Sequence, residues 1–193
     1  MFEFEKILLV SPNGTGHMNL KSLLNNIEVK GSMTSCFSCS KARQEILSID
    51  YDLVIIDAPL NDENGIDLAI SMSKDSYSTV LLLVEERYLG DIASRVYKFG
   101  TLVLGKPISS PLLFQSLILA NSINIKLKGI AGENKKLRKK LEEIKLVNKA
   151  KFLLIQHLKF DEQKAHRYIE KRAMDQRKSK GYIANEILKT YQQ

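Results

Sequence analysis

The sequence predicts an open parallel α/β sheet, then a long amphipathic helix, then a small all-helical unit. Three observations predict it. Apolar runs of strand length alternate with helical patterns five times before residue 124, as expected of a sheet with helices on both faces. A seven-residue apolar repeat begins at Leu127, as a coiled-coil seam requires. Charge divides near the same place: residues 1–123 hold 10 Lys+Arg and 14 Asp+Glu, a net of −4, whereas 124–193 hold 19 and 8, a net of +11. All four prolines (Pro12, Pro59, Pro107, Pro111) lie in the acidic part. The expected domains are therefore an α/β unit over 1–123, a coiled-coil linker over 124–149 and a helical unit over 150–193.

Lys6-Ile-Leu-Leu-Val10 is a short apolar run stopped by Ser11-Pro12-Asn13-Gly14, which fits a buried parallel strand. Leu20, Leu23, Leu24 and Ile27 recur at helical spacing, so Asn19–Ile27 is expected as a helix. Met33–Cys39 is the second strand and Lys41–Leu47 a short helix. Asp52-Leu-Val-Ile-Ile-Asp57 is the third strand, followed by a loop over Ala58–Asn64 that ends at Gly65. A helix over Ile66–Ser73 leads to the fourth strand, Thr79–Val84. Asp91–Phe99 is a helix closed by Gly100 at its C′ position. Leu102–Leu104 is a short fifth strand and Ser110–Ile123 the fifth helix. Sites in such sheets lie beyond the carboxyl ends of the strands, which singles out Ser11-Pro12-Asn13, Asp57 and Val84.

In the basic part, placing Leu127 at heptad position a puts Ile130, Leu137, Ile144, Lys151 and Leu158 at d, and Asn134, Leu141, Asn148 and Ile155 at a. Asparagine at a favours two parallel strands at some cost in stability. Leu137, Leu141, Ile144 and Asn148 are the expected dimerisation residues, with a second copy of the chain as partner. The alternative is one amphipathic helix packed on its own chain. Gly129 and Gly132 weaken the first heptad. The helix is expected to end near Leu158, with a turn at Lys159-Phe160 and an N-cap at Asp161. Glu162–Arg177 then places Ala165, Ile169 and Ala173 on one face and Lys164, Arg167, Lys171 and Lys178 on another. After a break at Ser179-Lys180-Gly181, Tyr182–Tyr191 forms the last helix. A basic unit of this kind calls for a polyanionic partner.

Other chemistries find little support. Cys36 and Cys39 form a lone C-x-x-C in what reads as a strand. A zinc site needs about four ligands, so the pair reads as structural thiols. Asn13-Gly-Thr-Gly-His17 lacks the Gly-Lys-Ser/Thr ending of a P-loop and the third glycine of a dinucleotide fingerprint. His17, His157 and His166 stand apart from any nucleophile, and no enzyme is expected. The composition, 44% hydrophobic and 26% charged, is that of a globular chain. No apolar run approaches the roughly 20 residues that span a bilayer, and the start is acidic rather than secretory. The cytoplasm is the expected location, with no membrane partner.

The acidic module resembles a response-regulator receiver domain, with its flavodoxin-like (CheY-like) fold. Asp57 closes its strand as the family's phosphoacceptor does, Gly65 stands where the loop glycine falls, and Lys106-Pro107 matches the family's Lys-Pro pair. Three positions depart. Ser11 and Pro12 stand where the family has two acidic residues that hold Mg²⁺, and Val84 replaces the family's Thr/Ser. One carboxylate is a poor site for a hard cation that takes several oxygen ligands. The resemblance with its departures implies a pseudo-receiver without ordinary Mg²⁺-dependent phosphorylation and without a cofactor, in which Lys106 pairs with Asp57 as a salt bridge. Control would pass to a sensor kinase or other regulatory protein, to a small ligand, or to dimerisation.

The basic module resembles the ANTAR domain of transcription antitermination regulators of the AmiR/NasR type. The matching residues are Ala150-Lys151, Leu153-Leu154, Phe160-Asp-Glu-Gln-Lys-Ala165, Ala173-Met174, Arg177 and Ile183-Ala184. Phe152 departs, because the family commonly has glycine there. The resemblance implies a dimer that binds paired stem-loops in mRNA leaders. Lys and Arg would meet phosphates, and aromatic rings would stack on unpaired bases. The candidate RNA-binding residues are Lys151, Lys164, Arg167, Lys171, Arg172, Arg177, Lys178 and Tyr182. Ala165, Ala173, Met174 and Ala184 are expected to pack. The alternatives are a DNA-binding response regulator and a signalling scaffold that binds no nucleic acid.

Overall fold

A computed structural model describes residue 2 and residues 4–191. The chain divides into two compact units, Met1–Ala131 and Gly132–Gln193. The first contains β1 (Lys6–Val10), α1 (Thr15–Asn26), β2 (Ser32–Cys36), α2 (Cys39–Ile46), β3 (Leu53–Asp57), α3 (Ile66–Asp75), β4 (Thr79–Glu85), α4 (Leu89–Val96) and β5 (Leu102–Lys106). Short 3₁₀ turns, Glu86–Tyr88 and Tyr97–Phe99, flank α4. Helix α5 (Ser110–Leu158) follows β5, and α6 (Glu162–Gln176) and α7 (Lys180–Tyr191) complete the second unit.

The five strands pair in parallel in the order β2-β1-β3-β4-β5. This is the flavodoxin-like sheet that the alternating pattern predicts. Apolar runs suit it because side chains alternate between two covered faces. Leu8, Val10, Val54, Ile56, Val80 and Leu82 meet Ala42, Leu68, Ala69 and Met72 on one face. Ile7, Leu9, Leu53, Ile55, Leu81 and Leu83 meet Leu20, Leu24, Leu113 and Leu117 on the other. Gly65 enters α3 in the left-handed region, at φ 77°, where a Cβ would lie 3.1 Å from Ile56 Cγ2. A side chain there would meet both backbone strain and a packed neighbour.

Local structure departs from the sequence reading at several element ends: α4 begins at Leu89 and stops at Val96, β5 runs on to Lys106, and four further departures concern α2, α1, α7 and α5. The second strand stops at Cys36 and Cys39 opens α2. The cause is capping: Ser38 Oγ accepts the Lys41 N–H at 3.2 Å, and Asp62 accepts the N–H groups of Cys39 and Ser40, each at 3.0 Å. Both cysteines are buried and free. Burial pushes the Cys39 thiol up to about 11, with Asp62 and Glu63 adding to the rise, so it is a poor thiolate. Second, α1 begins at Thr15, earlier than its apolar spacing indicates, behind Gly14, which offers no side-chain cap. Third, α7 begins at Lys180 rather than Tyr182, with the Gly181 N–H donated to Glu143 Oε1 at 2.9 Å.

Fourth, the expected fifth helix and linker are one 49-residue helix. It passes through the expected boundaries at 123/124 and 149/150. Pro111 lies in its first turn and no later proline interrupts it, and Gly129 and Gly132 cost helix stability without breaking it. Positions 192–193 of the expected third domain lie outside the described residues.

In the second unit Val147, Ala150 and Leu154 of α5 form a core with Ala165, Ile169 and Ala173 of α6 and Ile183, Ala184 and Ile187 of α7. The Asp161 carboxylate accepts the Lys164 N–H at 2.7 Å, which makes it the N-cap of α6 as expected. Arg177 closes α6 in the left-handed conformation, with its N–H and that of Lys178 returning to the Met174 and Ala173 carbonyls. Among the described residues no helix is long and apolar enough to cross a membrane.

Candidate functional site

Two groups of candidate residues stand out, one in each unit. The first lies at the carboxyl ends of the strands. Asp57 ends β3 and Lys106 ends β5. Lys106 Nζ donates to Asp57 Oδ1 at 2.7 Å and to the Ala58 carbonyl at 2.6 Å. This is the salt bridge expected from the sequence. Ser11, the first residue after β1, is fully buried, and its hydroxyl shares a 2.5 Å hydrogen bond with His17 Nδ1. His17 stands in α1 and meets the Phe37 ring edge-on, with centroids 5.1 Å apart. Burial lowers its pKa from 6.5, Lys21 lowers it further, and Asp57 opposes them. The imidazole is therefore held neutral. A Cβ on Gly16 would lie 3.9 Å from Asp57 Oδ2, so the first turn of α1 closes over the carboxylate. Val84 is buried in β4 and presents no hydroxyl.

These donors do not fit Mg²⁺, which the receiver fold implies. The ion takes several oxygen ligands in near-octahedral geometry. Here Asp57 Oδ1 is engaged by an ammonium group and the Ser11 hydroxyl by an imidazole. Among the described residues no group of three His, Cys, Asp or Glu side chains could hold a metal ion. Sequence reasoning marked Ser11 and left His17 as an isolated residue. The pairing depends on α1 starting at Thr15, which no capping side chain announces.

The second group lies on α6 and the α6–α7 turn. Arg167, Lys171, Arg177 and Lys178 are exposed. Among the described residues, no carboxylate forms an ion pair with them or with Lys164. Lys164 Nζ stands 4.5 Å from the Phe160 ring, which meets Tyr168 edge-on. Lys178 Nζ stands 5.4 Å from the ring of Tyr182, itself exposed, whose N–H is held by Ser179 Oγ at 3.1 Å. The remaining two candidates face carboxylates. The Lys151 side chain, 17% exposed, pairs with Glu162 at 3.1 Å, and Arg172 faces Glu186 at 3.8 Å. Lys180 pairs with Glu170, which His166 also approaches at 3.3 Å. The hydrogen bond from Lys180 holds the Glu170 carboxyl below the usual range.

Ala165, Ala173 and Ala184 pack as expected, but Met174 is 79% exposed. It stands one residue, about 100° of helix, beyond the buried stripe of Ala165, Ile169 and Ala173. Phe152 is 65% exposed, outside the three-helix core. Along α5, Leu137, Leu141 and Ile144 are 59%, 57% and 48% exposed, and Asn148 is exposed with them. Beyond Asn148 the a-position Ile155 and the d-position Leu158 are also exposed, whereas the d-position Lys151 is occupied by Glu162. Val147, Ala150 and Leu154, which lie off the seam, enter the unit's own core.

A parallel 2-1-3-4-5 sheet with Asp57 ending β3 and Lys106 ending β5 defines a response-regulator receiver domain. Residues 135–188 match the ANTAR domain family. Over 140 residues the chain is 31% identical to the transcriptional regulatory protein PdtaR of Mycobacterium tuberculosis (strain H37Rv), covering 72% of this chain and 68% of that protein. The chain belongs to the response regulators that carry an ANTAR domain. Among solved structures, a response regulator receiver domain protein from Clostridium thermocellum aligns with a TM-score of 0.54 at 24% identity, covering 63% of this chain and 96% of that one. An adenylate cyclase from Rhodopirellula baltica aligns with a TM-score of 0.57 at 20% identity, covering 70% and 98%. At these identities both likenesses are of fold alone.

Proposed function

We propose that the protein is an RNA-binding regulator of transcription antitermination, dimeric through α5, with a receiver that ordinary Mg²⁺-dependent phosphorylation does not drive. The observation that carries the RNA reading is the set of cations on α6 and its C-terminal turn that have no carboxylate partner among the described residues, beside an exposed aromatic ring. Arg167, Lys171, Arg177 and Lys178 are free to neutralise phosphates, which supplies salt-dependent affinity. Tyr182 offers a ring on which an unpaired loop base can stack. Lys151 and Arg172 contribute less, because each must first leave a carboxylate of its own unit. The regulatory role named for the mycobacterial relative agrees with this reading.

The test is titration of the full chain with two-hairpin RNA and with duplex DNA across a salt series. Selective RNA binding that persists near about 0.15 M salt is expected. Alanine at Arg167, Lys171, Arg177 or Lys178 should each lower the salt slope by roughly one unit or slightly less. Equal affinities that collapse together as salt rises would overturn the RNA reading, and a preference for duplex DNA would replace it with a DNA-binding regulator.

The receiver reading rests on the chemistry around Asp57: a single carboxylate, an ammonium on it, and a neutral imidazole bonded to Ser11. Incubation with a small acyl phosphate and Mg²⁺ should leave the intact mass unchanged. A stable phosphoryl adduct on Asp57 would refute it.

A further inference from the structure

Strand β3 is bracketed by two aspartates. Asp57 ends it and Asp52 immediately precedes it. Asp57 belongs to the strand-end site with Lys106, but Asp52 has no part in that site and is nevertheless densely bonded. Its carboxylate accepts the Glu5 N–H at 2.5 Å and the Lys6 N–H at 3.3 Å, and pairs with Lys128 Nζ at 3.0 Å. Its carbonyl accepts the Thr79 N–H at 2.9 Å and Asn124 Nδ2 at 2.8 Å.

Asn124 and Lys128 are four residues apart on α5 and share a face. They follow Ala120, the last α5 residue of the sheet-facing core. Asn124 is buried, and its Oδ1, like Thr79 Oγ1, has no hydrogen-bond partner among the described residues. A buried amide with one end unsatisfied is no more stabilising than an apolar side chain of similar size. What it adds is direction, because only one helix register brings Nδ2 to the Asp52 carbonyl. A leucine at 124 would merely extend the Leu113, Leu117 and Ala120 stripe.

We propose that Asp52 is the anchor of a clamp, in which Asn124 and Lys128 hold α5 to the start of β3 and fix its register as it leaves the sheet. Asp52 is thus a positioning residue. β3 is covered on both faces and paired with β1 and β4, so Asp57 and the clamp stand on one buried strand.

Hydrogen–deuterium exchange on the full chain tests this. Asn124→Ala should speed exchange of amides 121–131 by roughly tenfold or more, with β1, β3, β4 and α6 unchanged. Lys128→Ala should give a smaller acceleration, about threefold, over the same amides, which Lys128→Arg restores and raised salt reproduces in the parent protein. Unchanged exchange over 121–131 in both alanine variants overturns the clamp. Acceleration spread evenly through the sheet also overturns it, since that marks ordinary destabilisation. Should Asn124→Ala fail to fold, the Lys128 variants decide the matter, because that side chain lies at the surface.

Discussion

His17 ties the first helix to the end of the first strand. Its Nδ1 shares a hydrogen bond with the buried Ser11 hydroxyl, and the ring is itself buried, which favours its neutral form. The consequence for stability has a definite sign. The folded pKa is depressed below 6.5, chiefly by burial, so the neutral form is favoured in the fold. The contribution is complete above 6.5 and is lost as pH falls through the folded value. The Tm should therefore drop more steeply on acidification below 6.5 in the parent protein than in His17→Gln. Identical pH profiles would show that the ring is not held as described. The neighbouring Asp57–Lys106 bond was legible in the sequence, because both residues stand at strand ends that apolar runs announce. His17 was not, since its role depends on where α1 begins rather than on any spacing.

Helices differ from strands in how openly the sequence declares them. The strands were legible because both faces are covered and each run is nearly continuous in apolar residues. The start of α6 was legible from its capping residue Asp161, whereas the starts of α2 and α7 were misjudged, because distant carboxylates also hold their first N–H groups, Asp62 beside the local cap Ser38 in α2 and Glu143 in α7. The division of the basic candidates into paired and unpaired cations was hidden for the same reason, because Glu162 and Glu186 reach Lys151 and Arg172 only through the fold. Within α5 the heptad residues Leu137, Leu141 and Ile144 stand outside both cores. Leu141→Asp should accordingly leave the chain folded by circular dichroism while turning the proposed dimer into a monomer in light scattering and removing any concentration dependence of its Tm. A variant that stays dimeric would remove the seam from consideration.

For the molecule as a whole, the net charge of +7 describes neither part. Acidic residues predominate in the part that carries Asp57, and basic residues in the part that carries the α6–α7 turn. The two compact units meet along the chain at Ala131 and Gly132, inside α5. Gly129 and Gly132 flank this point, and a Cβ on either would enter open space. Each glycine weakens the helix by about 1 kcal/mol relative to alanine, just beyond the hold that Asp52 exerts through Lys128. Trypsin at low concentration should cut first within residues 126–136, where lysines surround the glycines. Gly129→Ala with Gly132→Ala should slow that cut by about fivefold per glycine. First cleavage elsewhere, or a rate that the alanines do not alter, would contradict this. The longest helix would then double as the molecule's breaking point. One nick would leave Asp52 and Asp57 on one fragment and Leu137, Leu141 and the basic turn on the other, so that proteolysis would part the receiver from the ANTAR domain in a single irreversible step.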